Sequence, residues 1–502
     1  MVYLIVKYSM KKLTRFVPPT VITIISFITH FIYFGYPQSV VFDEVYTGNF
    51  LNNYWHGTYF FDVHPPLGKL LIMFFANIVG ATHNVDWSVI GNAVPHWVVL
   101  ARIVPMLAGA LLPLVIYGLC RVIKMSVFAS FLAGLLICFE NSLIVQSRFL
   151  LTDGMLVLFG FSSLLFYYLY HACDEHGDTN SERRESDGRN SRNTIWNVWK
   201  PRLFIFLSAV FAGAAASIKW TGLSFIIIIG ILEIIKVFSG DGMFKQSRQT
   251  WKKSLQKCAG HAALYGGIFC AIYLSVFAIH FSLLPASGPG DAFMTPRFQK
   301  TLTGSVYASN PSLEPEGFIG KFIELNLEMY AANQTMTTSH PYSSKWYTWP
   351  LMLRPIFYWQ SASSTPTASY IYLLGNPLIY WSGTMAIIAV ISYAVYAIWQ
   401  SMRKKFSQAL TCITVGFLVN FIPFIFIGRV MFLYHYEAAL VVSIMAIAFL
   451  FDRIASSQWR IVAGTVFLLL CFLSFVFFSP LTYGLPLSAH ELSMRMWLAS
   501  WR

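Results

Sequence analysis

Phe42-Asp43-Glu44 sets two carboxylates side by side, and Asp62, His64 and Lys69 follow a short way on, all directly behind an apolar stretch at 17–36. Adjacent acids beside a hydrocarbon layer are costly unless solvated or employed, so they mark a candidate active site. Carboxylates in that position can take a proton from an attacking hydroxyl or gather oxygen ligands around a divalent cation, to which Asp43, Glu44, Asp62 and Asp153 are available. Arg102, Arg148, Asp153, Lys219, Arg429 and His435 fall at the ends of other apolar stretches, and an arginine fork grips an oxyanion with two hydrogen bonds. Each has an ordinary reading as well. Charges at helix ends snorkel, Asp153 can cap the helix that follows it, and Lys219-Trp220 can anchor a hairpin turn at the interface. As a set they mix acids, bases and histidine in short motifs at one membrane face, which points to a single shared cavity.

Composition dictates what must position them. The chain has 502 residues, of which 56% are hydrophobic, 17% aromatic and 11% charged, with a mean hydropathy of +0.58. Soluble domains carry roughly a quarter charged residues, so this is an all-α polytopic membrane protein. Spans of about 20 apolar residues are expected at 17–36, 98–120, 126–144, 154–171, 203–218, 221–238, 261–283, 378–399, 408–427, 431–451 and 461–479, with the N-terminus cytoplasmic and the C-terminus external. The first stretch is longer than a signal-peptide core and reads as a retained helix. The net charge of +13 is a topology signal: Lys7, Lys11, Lys12 and Arg15, then Arg121 and Lys124, Lys252, Lys253 and Lys257, and Arg403, Lys404 and Lys405 all fall on the cytoplasmic side. The external charge is balanced, and no nucleic-acid partner is needed to explain the excess. Cys120, Cys138, Cys173, Cys258, Cys270, Cys412 and Cys471 lie in spans or on the cytoplasmic side, where neither a disulfide nor a thiolate metal site is expected.

Between spans, the external segment 37–97 is expected to hold a helix starting at Pro65 or Pro66 and lying in the interface. Residues 174–193, within a cytoplasmic loop of 174–200, are polar with almost nothing to bury and read as a disordered tether. The large external segment 284–376 is too short for an added β-domain and reads as a small helical cap; its His340, Tyr342, Trp346 and Trp349 suit either an aromatic belt or the border of a substrate groove. The tail 480–502 reads as an amphipathic segment at the outer interface. Glu140, within the third stretch, reads as a buried acid satisfied by a polar neighbour. No fixed repeat suggests a solenoid.

Six ordered segments then carry a resemblance: FDEVYTGNFLNNYWHGTYFFDVHPPLGKLLI, QSRFLLTDGMLVLFGF, SIKWTGL, HPYSSKWYTWPLMLRPIFYW, LLGNPLIYW and GRVMFLYHYEAALV. In order and spacing the chain resembles the protein O-mannosyltransferase family, from Val41 to the C-terminus apart from the polar loop. The resemblance implies the GT-C glycosyltransferase fold with about eleven helices, the number reached from hydropathy. It further implies inverting transfer of mannose from a polyprenyl (dolichyl-type) phosphate mannose lipid to Ser or Thr hydroxyls of secreted proteins at the external face. Asp43 is the implied general base, with Glu44 beside it orienting the loop or meeting substrate hydroxyls. His64, Lys69, Arg148, Asp153, Lys219, Arg429 and His435 are the implied substrate-binding set, the arginines on the leaving phosphate, and His340, Tyr342 and Trp346 border the groove. No cofactor and no metal is expected, since cations crowd the same motifs.

Two departures from the family pattern stand out. The external loop has no room for the β-trefoil MIR domain of eukaryotic members, which favours the bacterial branch and a plasma membrane over the endoplasmic reticulum. Glu437 stands where an apolar residue or Pro is expected ahead of a helix. Membrane lipids and a homo- or hetero-oligomeric partner complete the implied interactions. Two other classes remain open: a GT-C enzyme that decorates a lipid or cell-wall glycan, and a transporter, which would call for midplane polar residues in broken helices.

Overall fold

The structure is a computed structural model and describes residues 2–82, 85–187, 194–239, 248–335, 340–362, 366–400 and 407–502. An apolar backbone in hydrocarbon satisfies itself only as a helix or closed barrel, and the chain takes the first course. It forms α1 (Val2–Phe31), α2 (Glu44–His56), α3 (Leu67–Ile78), α4 (His96–Ala101), α5 (Ile103–Val122), α6 (Val127–Cys138), α7 (Asn141–Ser147), α8 (Asp153–Asp187) and α9 (Thr194–Ile218). There follow α10 (Leu223–Ser239), α11 (Arg248–Leu283), α12 (Pro296–Gln299), α13 (Phe318–Thr335), α14 (Pro377–Trp399), α15 (Gln408–Phe421), α16 (Glu437–Asp452), α17 (Ser457–Tyr483) and α18 (Ala489–Arg495). In the core α8 packs between α5 and α9, and α16 packs against α6, α14 and α15.

Among the described residues nine helical stretches are long and apolar enough to cross a membrane, or ten if one bent pair counts as a span. The bent pair corrects the expectation of one helix over 126–144. Helices α6 and α7 meet at 58°, because the Glu140 carboxylate accepts from Leu143 N–H at 2.8 Å and Ser142 Oγ at 2.7 Å and so caps a new helix. A third bond, from Asn376 N–H at 2.7 Å, ties the break to the start of α14. The first stretch also stops short: its apolar helix is Phe16–Phe31, and the chain turns at Tyr33.

Three further expectations change. The cap over 284–376 is not purely helical, since β1 (Ile356–Gln360) and β2 (Thr367–Leu373) form an antiparallel pair. The tail supplies the third strand, β3 (Pro486–Ser488), against β2, and buries Trp501, whose Nε1 donates to the Met352 carbonyl at 2.8 Å. That indole therefore anchors the sheet layer. In the polar segment 174–193, α8 continues to Asp187 and α9 starts at Thr194, because extending a formed helix costs far less than nucleating one; residues 188–193 lie outside the described residues.

The helix expected from Pro65 or Pro66 appears as α3, with Pro66 at its N-cap. Tyr54, Tyr59 and Phe60 of the first loop pack with Phe277, Phe298 and Met329 in a second core, which seats α13 over the loop. Close packing is required there: a Cβ on Gly48 would collide with the Trp87 indole. The starts of α2, α8 and α16 and the ends of α9 and α13 consequently gather at one end of the bundle.

Candidate active site

Asp43 precedes α2 and caps it only through its backbone; its carboxyl has no hydrogen-bond partner among the described residues. The residue before it is strained. Phe42 adopts φ 46°, a left-handed conformation that costs a non-glycine residue about 1–3 kcal/mol and persists only when the surroundings enforce it. Here the Phe42 ring stacks on Tyr358 at 4.0 Å and its N–H donates to the Tyr358 carbonyl at 3.2 Å. Burial pushes the Asp43 carboxyl up to about 7; Lys219 pulls it down, while Asp153 and Asp62 push it further up. A carboxyl balanced near neutrality and free of partners is suited to accept a proton.

Glu44 is committed elsewhere. Fully buried, it receives Arg102 Nε at 2.8 Å and Nη2 at 2.6 Å, together with the N–H groups of Val41 at 3.0 Å and Leu150 at 2.9 Å. The other Arg102 hydrogens go to the Pro37 and Ser39 carbonyls at 2.6 and 2.7 Å. The pair therefore fixes the loop that carries Asp43, and Glu44 does not line the cavity described below.

Lys219, in the extended turn after α9, donates to both oxygens of Asp153 at 2.7 and 2.8 Å. Asp153 opens α8 and also receives Gln146 Nε2 at 3.0 Å; Gln146 Oε1 in turn accepts from the Tyr358 hydroxyl. A continuous chain thus runs from Phe42 through Tyr358, Gln146 and Asp153 to Lys219. Lys69 is held by Asp62 and the His64 carbonyl at 3.1 Å, so it shapes the turn before α3.

A cavity of about 380 Å³ opens beside this chain. Its apolar wall includes Leu156, Val157, Ile227, Val419 and Pro423, and its polar wall His64, Asp153, Lys219, Asn333, Arg429, Tyr434, His435 and Glu437. The Arg429 guanidinium bonds to the Asn333 side-chain oxygen and has no carboxylate partner among the described residues. Burial lowers the Arg429 pKa while Tyr434 and Asp62 oppose the shift; a guanidinium nevertheless stays charged. Burial first, then Lys219, Arg429, Lys69 and His435, keep the His64 imidazole well below its usual pKa and hence neutral. His435 stacks on the buried Trp349 indole at 5.9 Å, which fixes its ring. An anion joined to a long apolar chain fits such walls.

Several expected binding residues lie outside it. Arg148 is buried beneath the site, donating to the His30, Ile32 and Tyr33 carbonyls at 2.8–2.9 Å, and so caps the C-terminal end of α1. Arg148 does not line the cavity. His340, Tyr342 and Trp346 do not line the cavity; they pack on Phe432, Phe357 and Phe421 respectively in the layer alongside. The sequence reading passed over Asn333, Tyr434, Gln146 and Tyr358, although the last three stand inside the quoted motifs. Among the described residues no three His, Cys, Asp or Glu side chains are grouped to hold a metal ion; Asp62 and Asp153 are each taken by a lysine.

The family model for dolichyl-phosphate-mannose-protein mannosyltransferase matches residues 20–285, and that for the C-terminal four-helix membrane region of protein-O-mannosyltransferase matches 318–501. Dolichyl-phosphate-mannose–protein mannosyltransferase 4 of Candida albicans is 32% identical over 301 residues, 58% of this chain and 36% of that protein. Protein O-mannosyltransferase 1 of Drosophila melanogaster is 31% identical over 295 residues, 56% and 30% of the two chains. The chain thus spans about a third of the length of the curated relatives it matches. In structure it resembles the Saccharomyces cerevisiae protein O-mannosyltransferase Pmt1–Pmt2 complex bound to the sugar donor, with TM-score 0.82, 20% identity and 97% and 92% of the two chains covered. The Archaeoglobus fulgidus oligosaccharyltransferase is a more distant likeness, with TM-score 0.52, 14% identity and 95% and 56% covered.

Proposed function

We propose, for a chain that belongs to the dolichyl-phosphate-mannose-protein mannosyltransferase family, that it transfers mannose from a polyprenyl-phosphate carrier to Ser or Thr hydroxyls of secreted proteins. The observation that carries the reading is the Asp43 carboxyl, which has no hydrogen-bond partner among the described residues and feels the charges of Asp153 and Lys219. Those two residues stand in the wall of a cavity that also holds apolar side chains and Arg429, an arginine without a carboxylate partner among the described residues. The lipid chain lies along Leu156, Val157 and Ile227, and its phosphate is met by Arg429, with Lys219 and neutral His64 adding hydrogen-bond donors. The acceptor hydroxyl gives its proton to Asp43 as its oxygen bonds to the anomeric carbon. The carbon–oxygen bond to the phosphate breaks, and its electron pair leaves on the carrier phosphate. A phosphate is a stable anion, so fixed positive charge is needed there and a general acid is not. One displacement inverts the anomeric configuration.

We place the site on the external face, supported by the basic residues that cluster at the opposite helix ends. The proposal of a plasma membrane, bacterial-type enzyme rests on the short segment 284–376, whose described residues form α12, α13, β1 and β2. Pairing with a second or related chain is proposed because the yeast structure is titled as a two-chain complex. No metal is required in this scheme, since Arg429 and Lys219 supply the positive charge.

The test is an assay of the purified protein with polyprenyl-phosphate mannose, with and without chelator, offering a Ser/Thr-rich peptide, a lipid and a glycan as acceptors. A hexose on the peptide, undiminished by chelator, is expected. Transfer only to the lipid or glycan would contradict the acceptor class, and loss with chelator would contradict the metal-free scheme.

A further inference from the structure

Glu437, the first residue of α16, stands in the cavity wall at 3% exposure, and its Oε1 has no hydrogen-bond partner among the described residues. A buried carboxyl oxygen left without a donor is destabilising, so a position like this calls for a reason. The protein offers none internally. The nearby cation, Lys219, is already spent on Asp153 through two bonds of 2.7 and 2.8 Å. Among the described residues no ion pair joins Glu437 to Arg429, whose guanidinium bonds to Asn333. The backbone leaves the side chain little choice of place: a short turn over Leu433–Tyr436 leads into it, and the buried Tyr436 hydroxyl is tied to Ser443 Oγ at 3.2 Å.

The cavity wall thus offers hydrogen-bond donors at Arg429 and Asn333 and an unfilled acceptor at Glu437. A phosphodiester brings only oxygens that call for donors, whereas a polyol brings several hydroxyl hydrogens for a carboxyl oxygen to accept. A sugar phosphate fits this arrangement in one direction, phosphate toward Arg429 and ring hydroxyls toward Glu437. We propose that Glu437 is a sugar-specificity residue, accepting hydrogen bonds from hydroxyls of the transferred hexose. The inference rests on the proposed donor occupying this cavity.

The experiment compares wild type, Glu437→Gln and Glu437→Leu in two arms. In the first, equilibrium binding of polyprenyl-phosphate mannose is set against binding of bare polyprenyl phosphate. Wild type should prefer the mannosylated lipid, Glu437→Leu should lose that preference by about tenfold or more, and Glu437→Gln, which keeps an acceptor oxygen, should retain most of it. Bare-lipid affinity should be the same in all three. In the second arm, kcat/KM is measured with donors lacking one ring hydroxyl each; the penalty of Glu437→Leu should vanish for at least one of them. A preference untouched by Glu437→Leu, or an equal penalty on every deoxy donor and on the bare lipid, would overturn the proposal. A wild type that binds the mannosylated lipid selectively yet transfers nothing would instead count against the proposed reaction. Removing an orphaned carboxyl should not lower the melting temperature, so misfolding is checked by the same preparations.

Discussion

Asp43 and Glu44 are neighbours with opposite fates, and partner number decides which is which. The Glu44 carboxylate accepts four hydrogen bonds, two from Arg102, while the Asp43 carboxyl accepts none among the described residues. Asp43→Asn should lower transfer by about 10²–10⁴ while leaving the melting temperature in place, since general-base catalysis is worth that much and no structural bond is lost. Because the base must be ionised, kcat/KM should fall with unit slope below about pH 7, following the raised Asp43 pKa, and level off above it. A rate that is flat from pH 5 to 8 would deny Asp43 that role. Arg102→Ala should do the reverse and unfold the protein more readily, by about 3–5 kcal/mol, because it strands a buried carboxylate; thermal unfolding in detergent reads this directly. The sequence displayed the acid pair and its cost at the membrane, but not the choice between its members, because Arg102 and Leu150 reach Glu44 from 58 and 106 residues away.

At the scale of elements, the helix ends do the positioning. The C-terminal carbonyls of α1 are gathered by Arg148, whose motif position suggested a ligand contact; a guanidinium fork suits carbonyls as well as phosphate, so spacing alone could not separate the two. Arg148→Ala should therefore cost thermal stability and leave the apparent KM for the lipid donor near that of wild type, with a large rise in that KM speaking for a donor contact. The Tyr358 hydroxyl, which joins β1 to Gln146 and through it to Asp153, was invisible in the sequence because it depends on a strand expected to be part of a helical cap. Tyr358→Phe keeps the stack on Phe42 and removes that link. It should lower kcat several-fold with little change in stability, and an unchanged kcat would show that the chain of bonds does not position the site. The kink at Glu140 was hidden for a similar reason: hydropathy runs unbroken over 126–144, and only the three bonds to its carboxylate reveal a helix start.

For the whole molecule, hydropathy was enough to predict a bundle of apolar helices, nine or ten of them long enough to cross a membrane among the described residues, since it is a property of the chain that survives any detail of packing. Where the ends meet was not legible: the cavity is built from α8, α10, α13, α15, α16 and the turn after α9, and its Asn333 takes its place only when α13 folds over the first loop. Arg429→Ala should raise the apparent KM for polyprenyl-phosphate mannose at least tenfold, as expected for a charge-assisted hydrogen bond to phosphate, and leave KM for the peptide near wild type; equal effects on both would place the arginine elsewhere. In the proposed division of labour Asp43 alone takes the proton, while the cavity lined by Asp153, Lys219 and Arg429 holds the donor. That division is tested most directly by loading purified wild type and Asp43→Asn with polyprenyl-phosphate mannose, measuring bound lipid, and then adding a Ser/Thr-rich peptide for a single turnover followed by mass spectrometry. The account predicts equal donor binding in both proteins and hexosylated peptide only with wild type, whereas product from the Asp43→Asn protein at a comparable rate would contradict it.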